Sequence, residues 1–187
     1  MRVPSSALAT LAFAMFVTPA AAAHWAVDHA KSSLGFTVAW SGEPFSATFR
    51  NWNADIAFDP SDLSHARIAA SIDLASEASD TPDSDNGLKG PEGFWVERFR
   101  IARFESNAIS SSGGNKYLAR GTLSLHGLTR EIAIPFTLDI QGDTAHASGR
   151  VRVLRTDFGL GTGEWAAPTP IAHEVDIRLD IAAKKLP

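Results

Sequence analysis

Residues 117–140 constrain the fold more than any other stretch of this chain. In the second arm, Ile132, Ile134, Phe136, Leu138 and Ile140 fall on one face, and Ala133, Pro135, Thr137 and Asp139 on the other. Successive side chains of a strand point to opposite sides of the pleat, so this period of two marks a strand with one dry face. Leu123 and Leu125 give the first arm the same parity. His126-Gly127 stands between the arms, and glycine permits the positive φ that a tight hairpin requires. The stretch predicts a long antiparallel hairpin whose apolar side must face something.

The same rhythm recurs along the chain. Leu34, Phe36, Val38 and Trp40 share a face, as do Ala66, Ile68, Ala70, Ile72 and Leu74. Residues 101–107 read as a further strand. In residues 144–155, Ala145, Ala147, Gly149, Val151 and Val153 oppose His146, Ser148, Arg150 and Arg152. The last strand sets Val175, Ile177, Leu179 and Ile181 against Asp176, Arg178 and Asp180. Two stretches break the pattern. Glu77, Asp80, Asp83 and Asp85 lie among Ser, Thr and Pro and read as a solvated loop. Residues 85–96 read as one or two glycine-broken helical turns, an insert suited to cover a mouth. With about eight long strands, hairpin turns and no αβ alternation, the chain is all-β, an antiparallel barrel or sandwich with a short helical insert.

The first 23 residues are read apart from the fold. Arg2, the apolar run at residues 7–17 and the small-residue stretch Ala20-Ala21-Ala22-Ala23 form a secretory signal peptide, in preference to a retained anchor. Removing them from 187 residues leaves 164, a length for one domain, residues 24–187. The chain has no Cys, which excludes disulfides, thiol chemistry and a lipid anchor on Cys. Its formal charge of −4, with no basic block, gives nucleic acid no electrostatic footprint.

Alternation alone does not say which face is wet. An outer-membrane barrel would show its apolar face to lipid, whereas a soluble barrel hides it. Aromatic residues are not banded at both strand ends, the chain ends Lys184-Lys185-Leu186-Pro187, and Pro135 and Gly149 sit mid-strand; these favour the soluble form. Ala66, Ala70, Ala145, Ala147 and Gly149 on neighbouring inward faces then predict an elongated apolar cavity rather than a core filled by Phe36, Trp40, Phe104 and Phe136. The expected lumen residues are Phe36, Val38, Trp40, Phe104, Phe136 and Leu138, with Phe94, Trp95, Phe158 and Trp165 near a mouth.

No catalytic constellation is present. The six His residues lack the spacing of a helical zinc motif, so no metal site is expected. Gly159-Leu160-Gly161-Thr162-Gly163 fails the G-x-G-x-x-G pattern and opens no helix. Asp80, Asp83 and Asp85 are interrupted by Pro82 and lack the closing Glu of a calcium loop.

Four segments, taken together, resemble the YceI-like family. They are Trp25-Ala26-Val27-Asp28 with Ser32-Ser33-Leu34-Gly35-Phe36; Asn86-Gly87-Leu88-Lys89-Gly90-Pro91-Glu92-Gly93-Phe94-Trp95 with Ala102-Arg103-Phe104-Glu105-Ser106; residues 121–130; and Arg155-Thr156-Asp157-Phe158-Gly159 with Gly163-Glu164-Trp165. The resemblance spans the mature chain in order. It implies an extended lipocalin-like antiparallel barrel, exported to the periplasm, holding a polyisoprenoid, isoprenoid quinone or fatty-acyl lipid. It also implies a neighbouring cytochrome b561-type membrane protein as partner. The expectation is a non-catalytic lipid carrier without cofactor. The alternatives are a redox accessory that hands quinone to that cytochrome, and an enzyme acting on a lipid in the lumen. A homodimer through a strand edge is compatible with each.

Overall fold

The computed structural model describes residues 22–187. The signal-peptide reading lies, but for Ala22 and Ala23, outside the described residues. Eleven strands make eight passages across a single closed barrel. The first passage is β1 (His24–Val27) and β2 (Ser33–Trp40), interrupted by a 3₁₀ turn at His29–Lys31. The second is β3 (Glu43–Phe49) and β4 (Trp52–Ala57), bent at Arg50-Asn51. The third is β5 (Arg67–Asp73) and the two-residue β6 (Glu77–Ala78), broken by a 3₁₀ turn at Leu74–Ser76. Then come β7 (Ile101–Gly113), β8 (Lys116–Leu125), β9 (Leu128–Gln141), β10 (Thr144–Leu154) and β11 (Ile171–Lys185).

Each passage pairs antiparallel with the next, and β11 closes onto both β1 and β2. The register keeps every apolar face inward: Phe136 stands opposite Tyr117 on one side and Gly149 on the other. A side chain at Gly149 would meet the Phe136 Cβ at 3.1 Å and the Leu179 Cγ at 3.3 Å, so its bareness lets those two pack. The hairpin turn is as expected from the sequence, with His126 at φ 53° and Gly127 at φ 77°. The outer face is polar. There Asp176 binds Arg150 and Arg152, and their hydrogen bonds hold its carboxyl well below the usual carboxylate range.

The ladder is incomplete in two places: β9 and β10 pair only between Phe136–Gln141 and Thr144–Gly149, and the third passage parts from β7 at one end. β5 pairs with β7 only from Ala69 to Asp73, and β6 pairs with β3 instead. Residues 79–100 fill this gap at one end of the barrel.

Residues 77–86 are solvated only in part: Asp80, Thr81, Pro82 and Asp83 are exposed, but Glu77 and Asp85 are buried and the stretch is not a loop throughout. Glu77 is 1% exposed, and the chain enters a helix, α1 (Pro82–Lys89), three residues before the expected insert. Pro at the first turn and Asp83 and Asp85 near the positive end suit a helix start. The same Ser, Thr, Pro and Asp vocabulary serves loops and helix N-termini alike, which is why composition misled.

Candidate functional site: an apolar tube under a lid

The barrel is not filled. A cavity of about 290 Å³ runs between its walls. On β11 the lining extends from Ile171 to Ala183. At ~3.3 Å per residue that is ~40 Å of strand, or ~30 Å along the barrel axis once strands tilt by ~35–45°. Such a volume spread over such a length is a single-file tube. Inward-facing Ile134, Leu138, Ala147 and Ile177 are only half-buried because they face this space. The far end is stopped by Trp25, whose indole N–H donates to the Phe58 carbonyl at 2.9 Å.

The mouth end is built from two segments. The first is α1 with the turns that follow it. Phe94 N–H donates to the Leu88 carbonyl at 2.6 Å, folding Leu88 and Phe94 together over the lumen. Gly93 is required here, because a Cβ would lie 2.1 Å from the Leu88 oxygen. The second segment, residues 155–170, carries Phe158, Leu160 and Trp165 to the lining. Gly161 N–H donates to the Glu92 carbonyl at 2.9 Å and ties the two segments together.

Arg155 is the one charged side chain among the described residues that line the cavity. It is 6% exposed and forms no ion pair. Its Nε donates to Ala172 O at 3.0 Å, Nη1 to Leu160 O at 2.9 Å, and Nη2 to Trp165 O, Ala167 O and Ile171 O at 2.6–3.0 Å. Burial without a counter-ion pulls its pKa below the usual arginine value. Nη1 packs where a Gly161 side chain would be, which leaves that glycine no substitute. The sequence reading missed Arg155. The signal was there: it continues the inward parity of Ala145, Ala147, Gly149, Val151 and Val153.

Of the expected site residues, Phe36, Val38, Phe94, Phe104, Phe136, Leu138, Phe158 and Trp165 all line the tube. Trp40 and Trp95 do not. Trp40 lies beside the lining, with its ring 5.3 Å from Phe45 and 5.8 Å from Trp165. Trp95 has φ 48°, a left-handed backbone that turns it away from its neighbour Phe94. It packs on Phe99 under the Arg98 guanidinium, outside the lumen. Small inward residues were expected to make room. Ala70, Ala145 and Ala147 do so, while Ala66 and Gly149 face cavity-free packing.

Under the lid lies a second polar feature. Glu77 has no hydrogen-bond donor at either carboxyl oxygen. Burial, then the charge of Asp85, pushes its pKa up to about 7. Burial also pushes Asp85 upward, but Ser79 donates its N–H and hydroxyl to that carboxylate and holds it below the usual range.

A UPF0312 protein of Pseudomonas syringae pv. tomato is 27% identical over 169 residues, covering 87% of this chain and 83% of that protein. The crystal structure of BcnA from Burkholderia cenocepacia matches with a TM-score of 0.82 at 30% identity, covering 84% of this chain and 99% of that one. A polyisoprenoid-binding domain from Saccharophagus degradans, implicated in plant cell wall breakdown, matches at a TM-score of 0.65 over 87% of this chain and 98% of that one. At 14% identity this last likeness is one of fold. Residues 25–183 match the model of the YceI-like domain, and the chain belongs to that family.

Proposed function

We propose that this protein is a non-catalytic carrier of one long isoprenoid lipid, working in the periplasm after export. The empty tube carries the reading. Unfilled apolar volume costs ~24 cal/mol per Å³, so 290 Å³ corresponds to ~7 kcal/mol, comparable to the whole stability of a domain. A core of this size would be expected to close over its void unless something else filled it. A slim apolar chain fills it without needing polar partners along its length, and burial at ~25 cal/mol per Å² supplies the affinity. The solved relative that binds a polyisoprenoid shares this barrel.

The polar head of the cargo then lies at the mouth, beside Arg155. The remaining Nη1 hydrogen offers it a charge-assisted bond. An isoprenoid quinone suits the same tube, and delivery to a cytochrome b561-type membrane protein is the variant of this reading that a quinone cargo would favour. Titration of the purified protein with a long polyprenol and with an isoprenoid quinone tests the proposal. Saturation at one lipid per chain supports it; no saturable binding of either refutes it.

A further inference from the structure

We infer that Glu77 and Asp85 form a proton-operated latch that holds the lid helix over the mouth of the tube. This inference goes beyond cargo identity and stands whether or not a lipid is bound.

Glu77 sits on β6, a strand of two residues attached to the barrel only through Thr48 and Phe49 of β3. Asp85 sits on α1, one helical turn before Leu88, the helix residue that lines the cavity. The two carboxyls therefore join the strand at the gap to the lid that covers it. Glu77 is 1% exposed and Asp85 9%. Asp85 is anchored as an acceptor by Ser79. Glu77 has no donor of its own, so it is at home in this pocket only as the neutral acid, donating its O–H to the Asp85 carboxylate. Two carboxylates in one dry pocket cannot both ionise at low cost. Loss of the Glu77 proton puts two like charges face to face, and the relief is for α1 to lift and admit water.

The charged groups facing Glu77 are Asp85 and Lys89, both from α1. The β3 residues opposite, Thr48 and Phe49, carry no charge. Lys89 draws Glu77 toward ionisation, but burial and Asp85 outweigh it. Another titratable group lies against the lid. His126 packs its ring 4.5 Å from Phe99 and bonds the Phe158 carbonyl through Nδ1 at 3.2 Å.

The sign follows from linkage. Glu77 binds its proton more tightly with the lid closed than with it open. Closure is therefore fully supported below the ordinary carboxyl value of 4.5 and is lost as pH rises through about 7. The mouth is shut in acid and loosens toward neutrality.

The test is hydrogen exchange of the α1 amides in the cargo-free full chain between about pH 5 and pH 8, corrected for intrinsic base catalysis. The opening constant is expected to climb about tenfold or more up to pH ~7 and then level off. In Glu77→Gln, whose amide donates to Asp85 at every pH, it should stay low and flat. A flat wild-type profile overturns the latch. So does the same climb in Glu77→Gln, which would place the transition outside the Glu77–Asp85 pair. If Glu77→Gln fails to fold, Asp85→Asn decides the matter. Removing the Asp85 charge should move the climb to lower pH, and an unmoved midpoint overturns the pairing.

Discussion

Replacing Ala147 with Phe should separate cargo binding from folding. Ala147 faces the lumen between Leu138 of β9 and Ile181 of β11, and all three line the tube. The added ring projects into empty space rather than into packed side chains, so the overpacking that normally costs ~1–3 kcal/mol is absent. It takes the room of roughly four to five methylenes of a bound chain. At ~0.8 kcal/mol for each, cargo loses ~3–4 kcal/mol, or about 10²–10³-fold in affinity. Trp25 and Trp165 lie in the lining, so quenching of tryptophan fluorescence on titration with a long polyprenol reads the affinity. Chemical denaturation of the cargo-free protein reads stability, which should hold or rise. Unchanged affinity in a folded variant would refute the location of the cargo. A loss of stability as large as the loss of binding would show that the space is not open.

Three further outcomes follow. Phe136→Ala should cost ~3–5 kcal/mol on denaturation, because Phe136 is 9% exposed and its ring stacks 5.5 Å from Tyr117. In a competition assay that does not read tryptophan fluorescence, Trp165→Ala should weaken polyprenol binding and Trp95→Ala should leave it unchanged, since of the two only Trp165 reaches the lumen. A long-chain acid should bind more tightly than its methyl ester by about tenfold or more, because only the ionised head can pair with Arg155, and a charged hydrogen bond is worth ~1.5–3 kcal/mol. Equal binding of acid and ester would remove Arg155 from the head site while leaving the tube intact.

The barrel was legible because its strands obey one rule. Parity alone placed Phe36, Phe104, Phe136 and Leu138 inside, and small inward residues such as Ala70 and Ala147 announced the cavity. The mouth was not legible, because its residues obey no period. Phe94 and Trp95 are adjacent and equally apolar, and the positive φ at Trp95 sends them to opposite sides. Trp40 has the right parity but sits at the end of β2, where the wall turns away from the lumen and Phe45 and Trp165 enclose it. Glu77 lay in a polar run and read as solvated. Its burial is set by β3 and α1 packing over it, a tertiary fact that local composition does not carry. Arg155 lies between these cases: parity pointed it inward, and only its five carbonyl partners explain how a cation is held there.

The central claim is that the tube exists to hold a long lipid chain. Its most direct test is to isolate the protein from the cells that make it and identify by mass spectrometry what comes with it. The account expects one isoprenoid species, polyprenyl or quinone, at close to one molecule per chain. An empty barrel, or a mixture of short unrelated amphiphiles at low occupancy, would contradict it.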